Sequence, residues 1–148
     1  MVWGGISSRG TTPLSIIEGT VTAERYVDIL EESLLPTMNV LYEDKRFILQ
    51  QDGAPCHTAW YSYLSLMERN VEVLDWPANS PDLNPIENVW GWMKRRLARR
   101  KVSSREELDV AINEIWTEVN DDYLQSLIGS MKDRLEACIV ANGGHTRY

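Results

Sequence analysis

The sequence predicts an α/β layered domain in which helices pack on a mixed sheet. Three observations carry this. Short apolar runs punctuated by Gly, Pro and Asp occupy residues 1–80, whereas residues 81–148 show apolar positions at helical spacing. The element order reads strand, strand, helix, strand, helix, strand, then helices, an order suited to helices covering a sheet. With 148 residues, 43% of them hydrophobic and 25% charged, the chain is long enough for one domain with a core.

Met1-Val2-Trp3-Gly4-Gly5-Ile6-Ser7 reads as the first strand. Ser8 to Thr12 reads as a turn, and Pro13 to Glu18, with Leu14, Ile16 and Ile17, as the second strand, closed by Gly19. The pair predicts an antiparallel hairpin. Thr22 caps the next element, a helix with Tyr26, Val27, Leu30, Leu34 and Leu35 on one face. Pro36 is placed to end or kink it, while Met38, Val40 and Leu41 offer a further turn. Arg46 to Gln51 is the third strand. His57 to Arg69 is a short helix with Trp60, Leu64 and Met67 on a face, and Val71 to Leu74 is the fourth strand.

A helix then runs from near Pro85 to about Arg100. Another opens at Ser103/Ser104 with Glu106/Glu107 three residues on, a capping-box pattern, and buries Leu108, Ile112, Ile115 and Trp116. The last runs from about Asp121 to Val140 with Leu124, Leu127, Ile128, Met131, Leu135 and Ile139 as its apolar stripe. Gly143-Gly144 stops it. The expectation is a single domain over 1–148, strand-rich to residue 80 and helical beyond.

No apolar run is long enough to span a membrane, and no leader opens the sequence. Cys56 and Cys138 are too few for a disulfide framework, which points to a reducing compartment. The net charge of −7 weighs against a nucleic-acid partner on average. The charge is segregated, however. Lys94-Arg95-Arg96-Leu97-Ala98-Arg99-Arg100-Lys101 is a dense cationic run on an otherwise acidic chain.

Two carboxylates stand in positions that a metal-dependent phosphoryl-transfer site needs. Asp52 ends the run Phe47-Ile48-Leu49-Gln50-Gln51 and precedes Gly53-Ala54-Pro55, so a strand delivers it to a C-terminal edge. Glu87 sits in Ser80-Pro81-Asp82-Leu83-Asn84-Pro85-Ile86-Glu87-Asn88-Val89-Trp90, a proline-stiffened loop opening into a helix. Asn84 is a favourable N-cap, which places Pro85 at N1 and Glu87 at N3. Hard carboxylate oxygens suit Mg²⁺ or Mn²⁺. Such a site clamps the attacking and leaving oxygens between two ions roughly 3.5–4 Å apart.

Each residue also has a simpler reading. Glu87 at N3 completes a capping box, and Asp52-Gly53 is an ordinary turn dipeptide. His57 reads as a helix-end or surface residue, Cys56 as a small buried filler, and the six Trp as packing residues. The cationic run fits the C-terminus of a helix.

The conjunction is more specific than its parts. Met1-Val2-Trp3-Gly4, Ile17-Glu18-Gly19-Thr20, Gln50-Gln51-Asp52-Gly53-Ala54-Pro55-Cys56-His57, Leu74-Asp75-Trp76-Pro77-Ala78 and Ser80 to Trp90 closely resemble the DDE transposases of the mariner superfamily. The thirty-four residues between Asp52 and Glu87 resemble the Tc-type branch rather than mariner proper, whose third acid is Asp. Gly143-Gly144-His145-Thr146-Arg147-Tyr148 also resembles the end of that branch.

The resemblance implies a ribonuclease H-like fold with extra C-terminal helices. It implies Mg²⁺- or Mn²⁺-dependent DNA cleavage and strand transfer, with water and then a DNA 3′-hydroxyl as nucleophile. Asp52 matches the second acid of the family and Glu87 the third, both as catalytic metal ligands. His57 and Asn84 fall beside the site. Lys94, Arg95, Arg96, Arg99, Arg100 and Lys101 would face DNA phosphates, and a nuclear location follows from the family.

The family's first Asp, on a strand central in the sheet, and its helix-turn-helix region match nothing in residues 1–148. The expectation is therefore little activity for this chain alone, with any cation held weakly. The missing strand is expected to leave exposed strand edges that invite self-association or pairing with a full-length transposase. Without that strand the fold is expected to be marginal, or rearranged so that the first and third strands meet. The alternative function is a non-enzymatic, transposon-derived DNA-binding or transposase-interacting protein.

Overall fold

In the computed structural model, which describes residues 1–43, 45–144 and 146–148, the chain divides into two compact units. The first comprises Met1–Gly4 and Thr12–Ser80, and the second Gly5–Thr11 and Pro81–Tyr148. His145 of the C-terminal motif lies outside the described residues.

The expected hairpin forms as two separate ladders. Its strands are β1 (Val2–Trp3), β2 (Ile6–Ser7), β3 (Gly10–Thr11) and β4 (Ser15–Ile16). β1 pairs antiparallel with β4, and β2 antiparallel with β3. Gly10, at φ 142°, opposes Ser7 across the tip in a conformation that disfavours a side chain. The outer ladder belongs to the first unit and the tip to the second.

In the first unit, α1 (Ala23–Ile29) starts where predicted. The Thr22 hydroxyl accepts from the Arg25 amide at 3.3 Å, and Tyr26, Val27 and Ile29 are buried. Pro36 neither ends nor breaks the segment. A π-helical turn at Leu30–Leu34 leads into α2 (Leu35–Tyr42), with Pro36 in its first turn. Proline supplies no N–H and crowds the carbonyl four residues back, and the wider turn accommodates both. Tyr26, Leu30, Leu34 and Met38 thereby stay on one face and build a core with Leu66 and Val71. Val40, expected to support the extra turn, is exposed.

β5 (Ile48–Leu49) pairs in parallel with β6 (Glu72–Val73), and the Leu74 amide extends this pairing to the Leu49 carbonyl at 2.8 Å. The sheet content is mixed, as expected, but confined to two-residue ladders. Among the described residues β1 pairs with β4 and β5 with β6, so the expected meeting of first and third strands does not occur.

The helix expected over 57–69 is two pieces, α3 (Pro55–Thr58) and α4 (Trp60–Glu68). Ala59 is extended, with ψ 141°, and restarts the helix in a new phase. The buried face of α4 is Ser62, Ser65 and Leu66 rather than Trp60, Leu64 and Met67. Trp60 is 69% exposed, stacked on Tyr63, and is not a packing residue.

In the second unit, a 3₁₀ turn (Pro81–Leu83) leads into α5 (Ile86–Leu97). Next comes α6 (Arg105–Thr117), capped by Ser104, whose hydroxyl accepts from the Glu107 amide at 3.1 Å. Glu107 reciprocates through the Ser103 amide at 2.7 Å, completing the predicted box one residue early. Val89 and Met93 of α5 are buried, as are Ala111, Ile115 and Trp116 of α6, and Trp90 stacks on Trp116 at 5.3 Å.

The final helix is also divided, into α7 (Asp121–Gly129) and α8 (Met131–Val140). Asn120 caps α7, which packs against β2. Ser130, at ψ −8°, separates α7 from α8 directly after Gly129, a residue with no preference for continuing a helix, although the Ser130 amide still donates to the Ser126 carbonyl at 3.1 Å. Arg134 stands seven residues after Leu127, so helical spacing carries the inward face across the junction. Leu124 and Leu127 are buried as expected, but Leu135 and Ile139 are exposed and Arg134 takes the inward position. Asn142 and Gly143, at positive φ, terminate α8.

Candidate active site

Asp52 lies three residues beyond β5, in the first unit. Its Oδ1 accepts from the Ala54 amide at 3.0 Å and lies 2.7 Å from His57 Nδ1. An ionised carboxylate only accepts, so Nδ1 carries the proton in this contact. The turn reading of Asp52-Gly53 is therefore realised, and the imidazole contact is additional to it. The carboxylate remains exposed, whereas the imidazole is largely covered.

His57 is held from behind. Its ring lies 4.4 Å from that of Tyr26, whose hydroxyl donates to Gln51 Oε1. Gln51 Nε2 in turn donates to the His57 carbonyl at 3.4 Å. Burial pushes the Tyr26 hydroxyl far above its ordinary pKa, with the Asp52 charge adding, so it stays a donor. Burial likewise raises the Cys56 thiol, which is accordingly neutral rather than a thiolate ligand. Sequence reasoning found Asp52 and His57 but missed the Tyr26–Gln51 support, because those residues are twenty-five positions apart.

Glu87 belongs to the second unit, in the first turn of α5. The regular hydrogen-bonded helix begins at Ile86, directly after Pro85. Pro85 already has helical φ and ψ, as expected of a first helical residue, and the Glu87 amide donates to the Asn84 carbonyl at 3.1 Å, so the Asn84 main chain closes the first turn. Among the described residues the exposed Glu87 carboxylate has no hydrogen-bond or ion-pair partner.

What holds this turn is a set of residues with no periodic signal. Arg134 donates from Nη1 to the Asp82 carbonyl at 2.6 Å and from Nη2 to Asn88 Oδ1 at 2.8 Å. The Tyr123 hydroxyl donates to the Asn88 carbonyl at 3.3 Å, and Thr146 Oγ1 to Asp82 Oδ2 at 2.8 Å. A lone arginine inside an otherwise apolar stripe was the available clue.

The cationic run divides in two. Arg96 pairs with Glu118 and lies over the Trp92 ring, while Arg100 pairs with Glu114 and Glu118. Lys94, Arg95, Arg99 and Lys101 are exposed and carry no ion pair among the described residues.

Among the described residues no group of three or more His, Cys, Asp or Glu gathers to hold a metal. The available donors nevertheless suit a hard cation. Asp52 presents an exposed carboxylate already oriented by an amide and an imidazole, and Glu87 presents one without competing partners. No helix is long and apolar enough to cross a membrane among the described residues.

Comparison with known proteins bears on the whole chain. Residues 1–109 match the family described as DDE superfamily endonuclease. The transposable element Tc1 transposase of Caenorhabditis elegans is 35% identical over 150 residues, covering 100% of this chain and 54% of that protein. The Tc3 transposase of the same nematode is 33% identical over 150 residues, covering 100% of this chain and 45% of that protein. The chain thus spans about half the length of the curated relatives it matches. The Mos1 transposase catalytic domain, a mariner transposase solved with raltegravir and Mn, superposes with a TM-score of 0.90. The match has 25% identity and covers 99% of this chain and 76% of that one. The ribonuclease H-like architecture expected from the sequence is therefore present. The chain belongs to the DDE superfamily endonucleases, and within them to the Tc1/mariner transposases.

Proposed function

We propose that this chain is the catalytic-domain portion of a Tc1/mariner-type transposase, acting in DNA cleavage and integration. The observation that carries the reading is the coincidence of family and chemistry. A DDE endonuclease match over residues 1–109 includes two exposed carboxylates, one oriented by His57 and the other free of competing partners. In this reading Asp52 and Glu87 are metal ligands, His57 orients Asp52, and the Asn84 main chain shapes the turn before Glu87. Relatives solved with Mn and with Mg support the choice of cation, which would supply Lewis acidity at the phosphate. DNA is the partner. Structures of Mos1 include paired-end complexes, and the exposed cations of α5 are suited to phosphate contacts. A nuclear location follows from DNA as substrate.

Activity of the chain by itself is proposed to be weak. A two-ion clamp needs more ligands than two carboxylates provide, and no larger acidic cluster forms among the described residues. The same observation favours the second reading, a DNA-binding or transposase-pairing role without catalysis. A nicking assay with Mg²⁺ or Mn²⁺, run on the chain and on Asp52→Asn, separates them. Slow cleavage lost in the variant supports a residual enzyme. DNA binding without any nicking supports the second reading, and robust cleavage that survives Asp52→Asn overturns the assignment of Asp52.

A further inference from the structure

The side chain of Arg134 is the one charged group among the described residues that is buried to 2% exposure, and its contacts flank Glu87 on both sides. Each of the three guanidinium nitrogens donates to an acceptor. Nε donates to Ser130 Oγ at 2.8 Å, Nη1 to the Asp82 carbonyl five residues before Glu87, and Nη2 to Asn88 Oδ1, immediately after it. The Tyr148 ring covers the guanidinium at 4.8 Å. Burying a guanidinium is costly unless its donors are satisfied, and a planar fork holds its acceptors in fixed relative positions. A core position of this kind is ordinarily apolar, and stability alone does not call for an arginine there.

We propose that Arg134 is a positioning residue for Glu87. It ties the 3₁₀ turn and the first turn of α5 into one rigid element, so that the Glu87 backbone, and with it the base of the side chain, is held in place for a divalent cation. Arg134 stands seven residues after the buried Leu127, so helical spacing brings it to the inward face that the apolar residues of the last two helices share. Tyr123 and Thr146 reinforce the same two anchor residues. Fixing the backbone around a ligand removes the cost of ordering it when the cation arrives.

This inference rests on Glu87 being a metal ligand, and the test separates the two claims. Mn²⁺ binding to the full chain is followed by loss of the free-ion EPR signal for wild type, Glu87→Gln, Arg134→Lys, Asn88→Ala and Lys132→Ala. Arg134→Lys and Asn88→Ala are expected to weaken Mn²⁺ about tenfold with near-ultraviolet circular dichroism retained. Lys132→Ala, on the same helix, leaves binding unchanged. Adding Arg134→Lys to Glu87→Gln produces no further loss, because the group being positioned is gone. Asn88→Ala decides the matter if Arg134→Lys does not fold, since it removes an acceptor without emptying the core. Binding that depends on Glu87 but ignores both Arg134→Lys and Asn88→Ala overturns the positioning role alone. Binding indifferent to Glu87→Gln overturns the metal reading and this inference with it.

Discussion

His57 Nδ1 lies 2.7 Å from the Asp52 carboxylate, while the same imidazole packs 4.4 Å from the Tyr26 ring. One side chain thus links the hydrophobic core of the first unit to an exposed acid. The two contacts are separable by substitution. His57→Phe keeps the ring packing and removes the donor, whereas His57→Ala removes both. The aromatic contact is worth about 1 kcal/mol, so Ala destabilises by about that much and Phe by less. The hydrogen bond to an exposed carboxylate adds little to stability. Mn²⁺ affinity is expected to fall about tenfold in both variants. Thermal melts alongside Mn²⁺ titration check this, and an unchanged affinity in His57→Phe removes His57 from the site.

The Asp82–Thr146 contact makes stability depend on acid. The Thr146 hydroxyl chiefly, with nearby backbone amides assisting against burial, holds the Asp82 carboxyl below its ordinary value of 3.8. A carboxyl depressed in the folded state stabilises it fully above that ordinary value, and the benefit is lost as pH falls through the depressed one. Wild type is therefore expected to melt above Asp82→Asn at neutral pH, with the difference vanishing in acid below 3.8. Melting curves from neutral pH downward read it directly. A gap that widened on acidification would reverse the sign.

The division of the cationic run predicts a salt slope. Arg96 and Arg100 are engaged by Glu118 and Glu114, which leaves Lys94, Arg95, Arg99 and Lys101 for phosphates. Four phosphate contacts give a slope of log K against log salt of about −3.6 for duplex DNA. Replacing Glu114 and Glu118 by Gln releases the two arginines and steepens the slope by up to about 2. Filter binding across a salt series measures both, and a flat dependence excludes residues 94–101 as a phosphate-contacting segment.

The burial pattern of the last two helices predicts an inversion of the expected sensitivities. Leu124→Ala, at 0% exposure, is expected to cost about 2–5 kcal/mol. Ile139→Ala, at 74% exposure, is expected to stay within about 0.5 kcal/mol of wild type. A last helix with Ile139 on its inward stripe would make both costly. Urea denaturation of the two variants distinguishes the cases.

Features written into adjacent residues were legible in the sequence. The Thr22 cap, the Ser103/Ser104 box and the proline-stiffened loop before Glu87 all depend on chemistry within four residues, and all are realised. The failures concern which face of a helix is buried. Trp60, Leu64 and Met67 share α4 with the buried Ser62, Ser65 and Leu66, and Ile139 shares α8 with the buried Arg134, so apolar spacing alone does not select the inward face. That is why Trp60 and Ile139 were expected inside and Arg134 was overlooked. The half-site around Asp52 was legible as a motif, but its support by Tyr26 and Gln51 depends on tertiary folding alone.

The tip of the N-terminal hairpin, Gly5–Thr11, is a member of the unit otherwise formed by 81–148, while the base of the same hairpin belongs to the other. Division of the gene at the Ser80/Pro81 boundary therefore produces no self-sufficient halves. The downstream product lacks β2, the strand that lies against α7, and the upstream product carries it with nothing to cover. Co-expression of the two fragments, rather than either one singly, is the natural route to a soluble dissected form.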